Sequence, residues 1–152
     1  EMIDMSFVLT RDVIGRIFKS SEEMLAFISK SKDLSPEMIL SDPRKLMGIN
    51  YGFLAVLQSI LTLSNYIVVR KKLGVPKDYL ESLQMLVMAK ILPKKFSPKL
   101  RTLIGLRNTI MHRSASMTIT EIKTIIENID TIGEMYGIIK EAVEKLMEGA
   151  TK

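Results

Sequence analysis

The chemistry of this chain gathers in one short stretch, Leu106-Arg107-Asn108-Thr109-Ile110-Met111-His112, which holds its only histidine. On a helix turning about 100° per residue, Leu100, Leu103, Ile104, Leu106, Ile110 and Met111 share one apolar arc, with Arg107 near its middle. Arg101, Gly105, Asn108 and His112 descend a separate, polar face. A guanidinium turned toward a core must find partners or cost on the order of several kcal/mol. One reading gives Arg107 a carboxylate from another helix. The other keeps it for an anion. Arg107 and His112 stand about 140° apart around the helix, whereas Asn108 and His112 stack at i, i+4, so the amide is expected to fix the ring. A zinc site fits poorly, because there is one histidine, no cysteine and no helical two-ligand spacing. A cation and a titratable base flanking one small space suit a phosphodiester. The arginine would hold phosphate oxygens, and the imidazole would move a proton near neutral pH.

These residues carry a resemblance. Arg107-Asn108-x-x-x-His112, preceded by Gly105-Leu106, resembles the R-x4-H signature of the HEPN superfamily, and specifically the HepT-type toxin subunit paired with a minimal nucleotidyltransferase antitoxin. The likeness extends to Leu40-Ser41-Asp42-Pro43, Leu73-Gly74-Val75-Pro76 and Ile91-Leu92-Pro93, and covers roughly residues 10 to 148. In that family the motif reads on to a tyrosine, R-x4-H-x-Y, and here that place is Ser114.

The resemblance implies a metal-independent endoribonuclease that needs no cofactor. His112 would act as general base on a 2′-hydroxyl and, from a second protomer, as acid toward the leaving oxygen. Arg107 would stabilise charge on the phosphate, Asn108 would orient the imidazole, and Arg101, Arg113 and Lys99 would hold flanking phosphates. It also implies a homodimer with two motif helices facing each other, and an antitoxin that adenylylates the family tyrosine. Ser114 is then the candidate modification site. The alternative is a non-catalytic HEPN module that binds nucleotide or RNA, or docks a nucleotidyltransferase.

At 152 residues the chain is expected to form one domain, residues 1–152, with a real core. With 11 methionines, no tryptophan and 6% aromatic residues, that core is aliphatic and thioether. The absence of cysteine removes thiolate chemistry and fits a reducing, cytoplasmic setting. The chain opens on Glu1, which suggests a processing boundary, and no signal-peptide pattern follows it. Residues 46–69 carry no charge and are long enough to cross a bilayer. Asn50, Gln58, Ser59, Thr62, Ser64, Asn65 and two tyrosines spread through them argue instead for a buried helix with a protomer or partner on its second face. Asn50, Ser64 and Asn65 either line a cleft or bond back to helical carbonyls.

Net charge is +5, but its placement says more. No acidic residue stands between Glu81 and Glu121, an interval holding Lys90, Lys94, Lys95, Lys99, Arg101, Arg107 and Arg113. Such a one-signed run favours a polyanion nearby.

The helices that position the motif follow from periodicity and caps. Thr10 caps a first helix over residues 10–30, and Ser35-Pro36-Glu37 starts a short turn. Asp42-Pro43 opens the long, charge-poor helix, expected to end at Gly74 with Arg70-Lys71-Lys72 on its last turn. A third runs from about Lys77 to Ile91, Ser97-Pro98 is expected to cap the motif helix, and Thr118-x-x-Glu121 is a capping box for one continuous last helix. No strand pattern occurs. The expectation is an all-α, up-and-down antiparallel bundle of four to five helices.

Overall fold

A computed structural model describes residues 9–150, so the expected processing boundary at Glu1 lies outside the described residues. The order is α1 (Arg11–Ser29), α2 (Pro36–Leu40), α3 (Pro43–Arg70), α4 (Tyr79–Met88), a 3-10 turn (Lys94–Lys99), α5 (Leu100–Arg113), a second 3-10 turn (Ser114–Ser116), α6 (Ile119–Glu127) and α7 (Ile129–Ala150). All regular structure among the described residues is helical, as the patterning implies.

α3, charge-free from residue 46 to 69, is the hub, packing against α1, α2, α4, α5 and α7. Ile49, Phe53, Val56, Leu57, Ile60, Leu61, Leu63, Ile67 and Val68 are all buried along it. Its length and apolar composition satisfy a membrane-crossing criterion, yet 56% of its most apolar window is buried inside the bundle. Asp42 caps it through a bond from the Arg44 N–H, with Pro43 at the first helical position. Ser64 bonds back to the Ile60 carbonyl at 2.7 Å, and Asn65 accepts from the Ser82 hydroxyl at 2.7 Å, tying α3 to α4. Ser64 therefore takes the back-bonding alternative, and Asn65 uses its oxygen between two helices.

Four boundaries depart from expectation, each for a local reason. α3 stops at Arg70 rather than Gly74, because Lys72 turns to φ +54° and the Leu73 N–H closes on the Val68 carbonyl. This is the left-handed stop that glycine usually supplies. α4 runs only from Tyr79, capped by Asp78, to Met88, and ends on Lys90 at φ +61°. Ser97-Pro98 does not cap α5. Both residues lie inside the 3-10 turn, which is anchored by buried Phe96, by Lys95 on Glu134 and by Lys99 on Thr131. The last helix is broken at Asn128, whose side chain bonds the Thr124 carbonyl at 2.8 Å while its own carbonyl starts α7. The capping box at Thr118 and Glu121 forms in full.

α1 lies close on α3 because α3 presents Gly48 and Gly52 toward Phe27 and Ile28. A β-carbon built on Gly52 would fall 2.3 Å from Cγ2 of Ile28. Gly52→Ala should therefore destabilise the chain by about 1–3 kcal/mol through forced displacement of α1, more than offsetting the roughly 1 kcal/mol gain in helix propensity. Urea unfolding followed by circular dichroism would show this as a lower midpoint. An unchanged or higher midpoint would mean that the two helices separate freely.

Candidate functional site

α5 divides its side chains as the periodicity requires. Leu100, Leu103, Leu106, Arg107 and Ile110 are buried, while Arg101, Gly105, Asn108 and His112 are exposed. Met111, placed on the apolar arc by the helical projection, is 50% exposed. It lies in the last turn, where the bundle no longer covers that side.

Arg107 is only 7% exposed. Its Nε donates to Oε1 of Gln58 at 3.0 Å, and its Nη1 donates to Oδ1 of Asn108 at 3.2 Å. The guanidinium carbon stands 5.0 Å from the centre of the Tyr79 ring, in cation–π range. The Tyr79 hydroxyl in turn lies 3.5 Å from Nε2 of Gln58. Among the described residues no carboxylate pairs with Arg107. The carboxylate-satisfied arginine is therefore not what the chain builds. A guanidinium has five N–H groups; the one left on Nη1 and both on Nη2 have no partner among the described residues, and Nη2 is not shut away from solvent.

His112 sits exposed in the last turn of α5 and makes no hydrogen bond among the described residues. Asn108, expected to hold the imidazole, gives its oxygen to Arg107 instead. The cation draws the amide oxygen more strongly than a neutral ring would. Along the axis Arg107 and His112 are separated by about 7.5 Å of rise, so a buried, hydrogen-bonded cation and an exposed imidazole stand at successive levels of one helix.

Ser114 is exposed at the head of the second 3-10 turn. Its carbonyl accepts a hydrogen bond from Nδ2 of Asn50 at 3.3 Å. Asn50 is 4% exposed, and its Oδ1 is buried without a partner. One residue on, Tyr51 is 69% exposed. Tyr51 and Gln58 are seven residues apart, hence on one face of α3. Gln58 and Tyr79 were not singled out as site residues by pattern, whereas Asn50 was named as a residue that lines a cleft or bonds back to its own helix; it does neither, and reaches the Ser114 carbonyl instead. The one available signal for Gln58 was an amide in the charge-free stretch 46–69, where a buried polar group must be paired.

The basic interval is thinner in space than in sequence. Arg113 pairs with Glu121 and also bonds the Ser116 carbonyl, so it braces the capping box of α6. The Thr118 N–H, reinforced by Arg113, holds the Glu121 carboxyl below the usual carboxylate range. Lys95 pairs with Glu134, and Lys99 bonds Thr131 at 3.1 Å. Lys94 and Arg101 are exposed and unpaired among the described residues. No group of three or more histidines or carboxylates that could hold a metal comes together among the described residues.

The family model for ribonuclease HepT-like proteins matches residues 19–146. Among solved structures, a toxin–antitoxin with AMP-PNP aligns with a TM-score of 0.71 at 14% identity, covering 86% of this chain and 99% of the other. A tyrosine-to-alanine mutant of the toxin–antitoxin MntA–HpeT gives 0.71 at 15%, over 84% of this chain and 98% of the other. A mutant of the same pair with two aspartates changed to glutamate gives 0.70 at 14%, over 89% and 99%. Likeness at such identities is likeness of fold. No protein of curated function matches the sequence.

The two arginines beside the site should separate by their roles. Arg113→Ala is expected to lower the melting temperature slightly, an exposed pair being worth less than about 1 kcal/mol, whereas Arg101→Ala should leave it unchanged. Differential scanning fluorimetry of both variants checks the assignment. A melting temperature that falls for Arg101→Ala and not for Arg113→Ala would reverse it.

Proposed function

Because the chain belongs to the ribonuclease HepT-like family, we propose that it is a metal-independent endoribonuclease, the toxin of a toxin–antitoxin pair. The observation that carries this reading is Arg107, buried among neutral partners with its Nη edge free, on the same helix as the only histidine. Such a cation is poorly solvated and unneutralised, so an entering phosphate gains more there than at an exposed arginine.

In the proposed reaction His112 takes the proton of a 2′-hydroxyl, and the freed oxygen attacks the adjacent phosphorus. The bond to the 5′-oxygen breaks, and that oxygen receives a proton from a second imidazole. The products are a 2′,3′-cyclic phosphate and a 5′-hydroxyl. Arg107 stabilises charge on the non-bridging oxygens, and Asn108 serves by holding Arg107. Of the three cations expected to hold flanking phosphates, Arg101 alone makes no side-chain bond among the described residues. Arg113 and Lys99 act mainly through the bundle.

One chain has one imidazole, so the second proton transfer calls for a homodimer. The polar face of α5 suits it: a β-carbon on Gly105 would meet nothing within 4 Å, leaving room for another backbone. On α3, Met47 and Tyr51 are exposed and uncharged, one turn apart, and offer further surface to a second copy. The proposed protein partner is a nucleotidyltransferase antitoxin, in keeping with the toxin–antitoxin structures that share the fold. An RNA substrate and such a partner go with a cytoplasmic location, and the whole chain is taken as one domain.

Arg107→Ala and His112→Ala should each reduce cleavage of labelled RNA by on the order of 100- to 10,000-fold. Thermal stability should stay within about 2 kcal/mol of the parent, and parental activity should persist in excess EDTA. Full activity in either variant would end the enzymatic assignment, and tight RNA binding with no products from the parent protein would leave the non-catalytic module in its place.

Ser114 should be a poor acceptor for a transferase suited to tyrosine, since its hydroxyl is shorter and less acidic than a phenol. Its turn is also held at the carbonyl by Asn50. Inhibition is expected to come from stoichiometric binding of the partner. Intact-mass spectrometry after incubation with partner and ATP should show no AMP increment on Ser114. An increment there, with inhibition that outlasts removal of the partner, would overturn the expectation.

A further inference from the structure

Arginines taken out of water are ordinarily met by a carboxylate, because opposite charge repays part of the desolvation cost. Here three groups touch Arg107 and all are neutral: the Gln58 amide at 3.0 Å, the Asn108 amide at 3.2 Å and the Tyr79 ring at 5.0 Å. Gln58 is the informative one. It stands on a helix that is charge-free from residue 46 to 69, and its Oε1 takes the Nε bond that a glutamate of nearly the same shape would take. The amide supplies the hydrogen bond and withholds the charge.

The geometry also fixes which edge of the guanidinium is presented. Gln58 engages Nε, Tyr79 covers one face, and Asn108 takes one N–H of Nη1, which together define position and rotation. What remains is Nη2 and half of Nη1, the fork that binds two oxygens of a phosphate. Tyr79 begins α4 directly after its cap Asp78, so its ring is set by a helix start rather than by a loop. Its hydroxyl, 3.5 Å from Nε2 of Gln58, fills the other end of the same amide.

We infer that Gln58 and Tyr79 are positioning residues that hold Arg107 in place without neutralising it, keeping its full charge for an RNA phosphate. The ligand named here rests on the ribonuclease reading above; the cage itself does not. Two consequences follow. Replacing the amide by a carboxylate should make the fold more stable and the site worse. Removing the ring should let the guanidinium turn, lowering affinity, and restoring a ring without the hydroxyl should recover most of it.

The test uses the full chain and a labelled RNA oligonucleotide with every 2′-hydroxyl methylated, which can bind without being cut. Gln58→Glu is expected to melt at or above the parent temperature while binding this RNA roughly tenfold or more weakly. On an Arg107→Ala background the same change should alter binding by less than about twofold, as expected for residues coupled through one contact. Tyr79→Ala should weaken binding, and Tyr79→Phe should restore it. A Gln58→Glu protein that melts lower than the parent, or binds equally well, overturns the inference. So does an equal loss on the Arg107→Ala background, which would mark general repulsion. If the parent binds this RNA and cleaves no unmodified RNA, the ribonuclease reading fails while the binding and melting comparisons still decide the cage.

Discussion

The rest of this structure depends on one buried positive charge that is hydrogen-bonded but not neutralised. Arg107 is 7% exposed and surrounded by two amides and a phenol ring. Such an arrangement is costly by itself, so the surroundings must hold it rigidly. α3 carries Gln58 to it, α4 begins at the residue whose ring covers it, and Leu103, Leu106 and Ile110 seat α5 in the core on either side. The close approach of α1 at Gly52 and the break before α4 keep those elements in register. Stability is spent in this corner of the molecule, and the aliphatic core elsewhere offsets it.

Much of this was legible before any coordinates. The period of α5 put Arg107 among apolar residues and His112 on a polar face, and both placements hold. Helix starts at Thr10, Ser35, Asp42 and Thr118 were readable because a capping side chain and its target lie within three residues of each other. The family likeness read from the motif agrees with the match over residues 19–146.

What stayed hidden depends on distant partners. Nothing near Arg107 in sequence announces Gln58, 49 positions away, or Tyr79. Asn108 looked free to serve His112 because the competing guanidinium is its own neighbour, turned by the fold toward the same side. The run of seven cations without an acid looked like a continuous basic face. Glu121 and Glu134, from beyond the run, reclaim Arg113 and Lys95. The break at Asn128 escaped for a similar reason, since the apolar stripe continues across it and only a side-chain bond to Thr124 marks the end of α6.

α3 touches the motif helix at two levels, and the spacing of those contacts fixes how the pair can sit. Gln58 meets Arg107, and Asn50 meets the carbonyl of Ser114. Eight residues on α3 span about 12 Å, and seven on α5 and its following turn span about 10.5 Å, in opposite directions. Sliding α5 by one helical turn would break both contacts at once and strand a buried charge together with a buried amide. Antiparallel register is thereby set by polar contacts, where an aliphatic core alone would tolerate small shifts. The same two contacts divide the motif physically. Its cation is held at the centre of the helix, while its imidazole sits at the exposed end with no hydrogen-bond partner among the described residues. Within the described residues the fold fixes where the imidazole stands and leaves its ring orientation to be set by a contact from outside them.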